Sequence, residues 1–416
     1  MEYDLITLEN GIRVVYKQVA STNLVHCGFI LDIGSRDERP DQEGLAHFWE
    51  HMAFKGTEKR KAYHILNRID SVGGELNAYT TKEKMCFYAS TLSSHIDKSI
   101  ELLTDITFNS VFPEKQIERE RKVILEEMTM YKDNPEDAIQ DEFDQVIFSG
   151  HPLGYNILGT QKSVRSFHRN DFYRFIEQNM SPERIVFSIV GNLPPKKMEG
   201  IVRKYIGSAP VQNGSPDREA YDEKLYVAKT NIHKKPISQA QCAIGKPAYP
   251  LKDERRIALM LLVNILGGPG MNSRLNLGIR EKYGFVYSID AHYTPYLDTG
   301  LFSIFFGTEH QQLYRCVDLA LKELKKFKLK PLTNVQLHRA KEQFIGQLAM
   351  SEENNASLML MMGRSLLDLG LIPTFEEVVA QIRAVDDMEL WNIANDIFDE
   401  NSLSFLYYLP GQKNKS

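Results

Sequence analysis

The chain predicts an α+β fold of two homologous α/β-sandwich domains in tandem, each built from an antiparallel or mixed sheet with helices. Three observations predict it. Short β-rich runs arrive in hairpin pairs and are followed by groups of helices, an order that suits layered sandwiches and not a βαβ series. A length of 416 residues with 43% hydrophobic content is enough for two or three large cores. The stretch LHRAKEQFIGQL, residues 337–348, keeps the apolar frame of IERERKVILEEM, residues 117–128, so the second half reads as a diverged repeat of the first.

Taken in order, residues 5–8, 13–17 and 25–31 read as strands, the first two joined by Asn10-Gly11, a dipeptide suited to tight hairpin turns. Residues 44–57, GLAHFWEHMAFKGT, hold no helix breaker between Gly44 and Gly56 and read as a helix. A helix over 63–72 then stops at Gly73-Gly74, and strands follow at 75–79 and 85–90. Helices are expected at 93–108, 113–131, 135–148, 171–178 and 195–205, with a strand at 185–190. Residues 207–221, GSAPVQNGSPDREAY, have the Pro, Gly, Ser and charge content of a linker, which sets the domains at 1–210 and 222–416. In the second half, IALMLLVNILGG at 257–268 takes the place of the helix at 44–57 without His or Glu.

Composition narrows the function classes. A net charge of −5 from well-mixed Lys, Arg, Asp and Glu argues against nucleic acid as a partner. The N-terminal MEYDLITLENGIRVVYKQ is acidic where a secretion signal is basic, and no stretch approaches the roughly 18–20 apolar residues of a membrane span. The expectation is a cytoplasmic protein with no membrane partner. Cys27, Cys86, Cys242 and Cys316 are scattered without CxxC spacing, which fits reduced structural thiols.

The chemistry concentrates at His47, Glu50 and His51. Four residues apart, the two histidines lie one turn above the other on one helix face, so both imidazoles reach a single cation. Glu50 sits beside that face, where a carboxylate can take a proton from an attacking water. This order, HxxEH, reverses the commoner HExxH and is the inverzincin signature. Either histidine alone reads more readily as packed or solvated; the triplet does not, because it crowds one face with polar groups that a core position would have to satisfy. Catalytic zinc takes a third protein ligand, and the best source is the helix at 113–131. There Glu120 and Glu127 share a face while Glu118 and Glu126 point elsewhere, and spacing alone does not choose among the four.

The combination of HFWEHMAFKGT with ERERKVILEEM resembles the pitrilysin/insulinase family of zinc peptidases, most closely the branch containing the mitochondrial processing peptidase β subunit and its bacterial relatives. TLENGIRVV, GGELNAYTTKE and HPLGYNILGT also match, so the similarity runs through most of the chain. The resemblance implies one zinc per chain held by His47, His51 and Glu127, with Glu50 as general base and Glu120 supporting the site. It also implies that the strand carrying Asn77 and Ala78 pairs with an extended peptide substrate, a mode that asks little of side chains.

In SRLNLGIREKYGFVYSI, residues 273–289, Arg280 and Tyr287 match the family's Arg and Tyr that hold the substrate and stabilise the oxyanion. Gly267 to Gly270 reads either as a flexible substrate-binding loop or as a helix stop. Larger family members join two such two-domain units, the Arg and Tyr coming from the unit without zinc. A single unit carrying both sets implies a homodimer with active sites shared between subunits. The expected function is zinc-dependent hydrolysis of unfolded peptides or short segments in an enclosed chamber. The alternative is a non-catalytic structural or partner-dependent subunit of the same fold, which metal content and peptide cleavage by the pure chain separate.

Overall fold

The computed structural model describes residues 3–211 and 218–411; residues 212–217, in the middle of the expected linker, lie outside them. The first half runs β1 (Asp4–Thr7), β2 (Arg13–Gln18), β3 (Leu24–Leu31), α1 (Leu45–Ala53), α2 (Ala62–Asp70), β4 (Glu75–Thr80), β5 (Met85–Leu92), α3 (Ile96–Phe108), α4 (Glu114–Asp133), α5 (Pro135–Ile147), α6 (Gln161–Ser166), α7 (Arg169–Asn179), β6 (Ile185–Gly191) and α8 (Pro195–Tyr205). The second runs β7 (Thr230–Lys235), β8 (Ala240–Ala248), α9 (Arg256–Gly267), a π-type turn at Asn276–Glu281, β9 (Val286–Pro295), β10 (Gly300–Thr308), α10 (Leu313–Leu329), α11 (Asn334–Glu352), α12 (Asn355–Leu369), α13 (Phe375–Ala384), α14 (Asp387–Ile397) and β11 (Ser404–Pro410).

The strands form two mixed sheets, ordered β1-β2-β6-β3-β5-β4 and β7-β11-β8-β10-β9. Apart from the extra β1, the two orders coincide, and each holds its one parallel pair at the same place, β2 with β6 and β7 with β11. The fold is therefore the α+β tandem repeat that the sequence predicts. The Asn10-Gly11 turn closes the β1–β2 hairpin with Gly11 at φ +85°, a left-handed conformation that glycine adopts without steric cost.

By contacts the chain forms two compact units that are not consecutive in sequence. One comprises Met1–Met128, Tyr155–Glu219 and Met350–Pro373, the other Thr129–Gly154, Ala220–Ala349 and Thr374–Ser416. Each unit thus takes one helix from the opposite half. In the first unit, Leu358, Met359, Met362 and Leu366 of α12 bury against Val15, Ile30, Val186 and Val190 of the sheet. In the second, Ile139 and Phe143 of α5 bury against Ala243, Leu301 and Leu406. The hydrophobic effect requires an apolar cover for each of these sheet faces; sequence periodicity shows which residues are apolar but not which segment supplies the cover. The compact units differ from the expected domains at 1–210 and 222–416 in exchanging α5 and α12.

Two further local differences have physical causes. The six-residue α6 escapes a periodicity reading because it is barely longer than one turn, and its signal is the reciprocal cap between Thr160 and Ser163. The end of the expected linker is also anchored: Arg218 bonds Asp32 and Asp37 at 3.0 and 2.9 Å, and the Glu219 carbonyl accepts from Arg36. All four cysteines are buried and free. Among the described residues no helix is long and apolar enough to cross a membrane.

Candidate metal centre

The site is built on α1, whose start is fixed from outside the helix. Gly44 precedes it at φ +91°, and a Cβ there would lie 2.5 Å from the Leu158 carbonyl, so only glycine admits this close approach of the chain around Gly159. The fully buried Glu38 carboxylate accepts hydrogen bonds from the Gly44 and Ala46 amides at 2.8 and 2.7 Å, satisfying donors that the first turn leaves open. Phe48 and Trp49 face the core, Phe48 against Phe167 and Phe172, Trp49 against Phe87 and Phe175. Burying each ring stabilises the fold by about 3 kcal/mol, and this locks the rotation of α1 about its axis. His47, Glu50 and His51 are thereby held on the side that faces α4.

On α4 the structure separates the four glutamates. Ile117, Glu120, Arg121 and Ile124 turn inward at helical spacing, Glu127 lies half-buried one turn further along, and Glu118 and Glu126 are exposed. Arg121 anchors this face to the Val164 and Phe167 carbonyls. Among the described residues, His47, His51 and Glu127 are the one group of three such side chains whose ligand atoms all come within 4.8 Å of one another. His51 Nε2 lies 3.5 Å from Glu127 Oε2, and His47 Nε2 lies 3.8 Å from Glu127 Oε1. Tetrahedral ligands at zinc-ligand bond lengths stand about 3.4 Å apart, so each histidine lies within a few tenths of an ångström of that spacing from Glu127.

The electrostatics suit a cation. Burial, with a smaller contribution from His51, lowers the His47 pKa to about 3, so its imidazole is neutral and its lone pair is free at neutral pH. Burial also raises the Glu127 carboxyl above its ordinary range, as expected of an acid placed without a partner cation. His51 Nδ1 lies 3.2 Å from Glu120 Oε2, and Glu120 Oε1 is bridged at 2.7 Å by Lys55. Burial would raise the Glu120 carboxyl, but the hydrogen bonds from His51 and Lys55 outweigh it and hold the group ionised. An ionised Glu120 fixes the His51 tautomer so that Nε2 is the ligand atom, the role that carboxylates behind metal-bound histidines serve. Two imidazoles and one carboxylate, gathered within 4.8 Å of one another with His47 neutral, are a donor set that fits zinc.

Glu50 Oε2 accepts a 2.6 Å hydrogen bond from Thr80 at the end of β4, and burial raises its pKa despite that bond. A carboxyl raised toward neutrality is better matched to proton transfer. Thr80, Lys55 and Glu38 are site residues that the sequence reading missed. Lys55 had a signal, standing four residues after His51, although α1 ends at Ala53 and Lys55 reaches Glu120 from just beyond the helix. Glu38 and Thr80 reach α1 from separate segments and had none.

The remaining predicted residues lie elsewhere. Asn77 and Ala78 are on β4, the last strand of its sheet, where Asn77 Oδ1 accepts from the Ala78 amide at 2.8 Å. In the second unit, Arg280 lies in the π-type turn, one residue before its end, with its Cζ 6.0 Å from the ring centre of Tyr287. Tyr287 is 89% exposed on β9, the edge strand equivalent to β4. In that unit the position of Glu127 is held by Gln347, which accepts from Asn264 of α9 at 2.8 Å. A neutral pair thus stands where the first unit has its ligands.

Comparison with known proteins agrees with this asymmetry. Residues 13–161 match the model of the insulinase family (Peptidase family M16), and residues 166–344 match that of the inactive domain of the same peptidase family. Over 398 residues, 95% of each chain, the protein is 33% identical to YmxG of Bacillus subtilis, named an uncharacterized zinc protease. The chain belongs to the insulinase family of peptidases. A zinc protease of Rickettsia bellii, likewise named uncharacterized, is 31% identical over 402 residues, covering 97% of this chain and 96% of the other. The insulinase-family fold recurs in a crystal structure from Pseudomonas fluorescens described as a peptidase M16 inactive domain, with TM-score 0.91 and 19% identity over the full length of both chains. A protease from Helicobacter pylori has TM-score 0.90 and 22% identity over 98% of this chain and 99% of its own.

Proposed function

We propose that this insulinase-family chain is a zinc-dependent endopeptidase acting on unfolded peptides or short segments. The observation that carries the reading is the convergence of His47, His51 and Glu127 within 4.8 Å beside Glu50 on the same helix. That two relatives over nearly the full length are named zinc proteases supports the same metal and the same reaction class. His47, His51 and Glu127 would hold the zinc, which when bound would supply Lewis-acid polarisation of the scissile carbonyl and ease ionisation of the attacking water. Glu50 takes the proton from that water and delivers it to the leaving amine, and Thr80 aims its carboxylate. Glu120 and Lys55 orient His51. The edge strand β4 takes the substrate backbone by strand addition, with Asn77 and Ala78 at the pairing edge.

Arg280 and Tyr287 supply donors to the developing oxyanion. In this reading they act across a homodimer, serving the metal centre of the partner subunit; the exposure of Tyr287 and its proximity to Arg280 support a role outside their own core. Assay of zinc content and of cleavage of a quenched fluorescent peptide library tests the proposal. Stoichiometric zinc with cleavage supports it, and metal-free protein without activity points to a structural subunit.

A further inference from the structure

A second cavity lies in the unit without metal ligands. Arg274 is partly buried there, with its Cζ 3.7 Å from the centre of the Phe327 ring. Among the described residues its guanidinium has no hydrogen bond and no ion pair. Burial lowers its pKa from the ordinary arginine value, and only Glu323 acts against that. A guanidinium nonetheless stays charged in proteins. Removing such a charge from water without a counter-charge is costly, and the planar fork it presents is suited to two-point contact with a carboxylate or phosphate.

Arg274 lines a cavity of about 540 Å³, within the size range of small-molecule sites. Buried Leu332 gives it an apolar wall, the exposed Leu277 and Leu329 line its open mouth, and Lys326 and Lys330 add two further cations. One carboxylate faces the same space. It belongs to Glu323, whose Oε1 is already paired with Lys326 Nζ at 2.5 Å. The Arg274 and Lys330 side chains make no hydrogen bond or ion pair among the described residues, and Glu323, the carboxylate that acts on Arg274, is shared with Lys326. The cavity is therefore apolar in one wall and at its mouth, and positive in its uncompensated charge. A bare inorganic anion would leave the leucines uncovered, and a neutral apolar molecule would leave the guanidinium unpaired.

We propose that this cavity binds one small anionic amphiphile per chain, an anionic oxygen headgroup on Arg274 with a short apolar chain against the leucines. The site lies apart from the metal ligands in sequence and uses none of the residues assigned to peptide hydrolysis. It stands whether or not the chain is a peptidase.

The test is calorimetric titration of the zinc-loaded full chain with octanoate and with octyl phosphate, beside octanol and inorganic phosphate. Arg274→Gln and Lys330→Gln are run in parallel; Lys330 is exposed, so its substitution leaves the fold intact. One of the two amphiphiles saturates at one per chain, and whichever binds more tightly identifies the headgroup. That binding weakens at least tenfold in Arg274→Gln and several-fold in Lys330→Gln, and octanol binds at least tenfold more weakly than octanoate. Absence of saturable binding by both amphiphiles, or affinity unchanged in both variants as binding at the zinc alone would give, overturns the proposal. So does octanol matching octanoate, or inorganic phosphate matching octyl phosphate.

Discussion

The Nδ1 of His51 lies 3.2 Å from Oε2 of Glu120, while the opposite ring nitrogen faces Glu127 at 3.5 Å. One ring is therefore oriented by one glutamate of α4 and shares the ligand cluster with another. Glu120→Gln removes the orienting charge and keeps the shape. Zinc affinity is expected to fall about 10–100-fold, read by competition with a chromogenic chelator, with activity largely recovered in excess zinc. Unchanged affinity would show that Glu120 does not position His51.

Glu38 holds the first turn of α1 by accepting from the Gly44 and Ala46 amides. Glu38→Ala leaves those donors buried and unpaired, and is expected to cost about 1–2 kcal/mol in urea unfolding. Glu38→Gln keeps one acceptor and should cost less. A neutral Glu38→Ala would mean that α1 is held by its aromatic packing alone.

Asp32 gives the acid limb of stability a specific shape. Burial alone would raise its pKa, but Lys84 and Arg218 together hold the carboxyl down to about 2. A folded pKa below the unfolded value means that the unfolded chain binds the extra proton. The contribution, on the order of 2 kcal/mol, is then fully present above about pH 4 and lost as pH falls toward about 2. Asp32→Asn should flatten this part of the pH dependence, measured as the urea midpoint between pH 5 and pH 2. An unchanged slope would remove Asp32 as its source.

Much of this architecture was legible because it rests on local patterns. The helices α1 and α4 follow from unbroken helical spacing, the β1–β2 hairpin from Asn10-Gly11, and the repeat from the frame that α4 and α11 share. The choice of Glu127 was not legible from spacing, because four glutamates fit the same helix; the family resemblance pointed to it, and the inward face of α4 gives it a physical basis. Features joining distant segments carried no local trace. The cap by Glu38, the Thr80 bond to Glu50 and the exchange of α5 and α12 arise when remote stretches meet, and no hydrophobic period encodes the partner.

The proposed sharing of active sites between subunits has a quantitative consequence. An equimolar mixture of Glu50→Gln and Arg280→Ala, each inactive alone, should recover about a quarter of wild-type cleavage, because half the dimers are mixed and each holds one intact site. Light scattering should give a dimer mass. An active monomer, or no recovery on mixing, would place Arg280 outside the partner's site.

The most direct test of the central claim compares wild type with Glu50→Gln for zinc content and peptide cleavage in one experiment. Glu50 stands beside the ligands and is bonded to Thr80, so the variant should keep one zinc per chain while cleavage falls by about 10²–10⁴-fold. Cleavage at the wild-type rate by zinc-loaded Glu50→Gln would contradict the account.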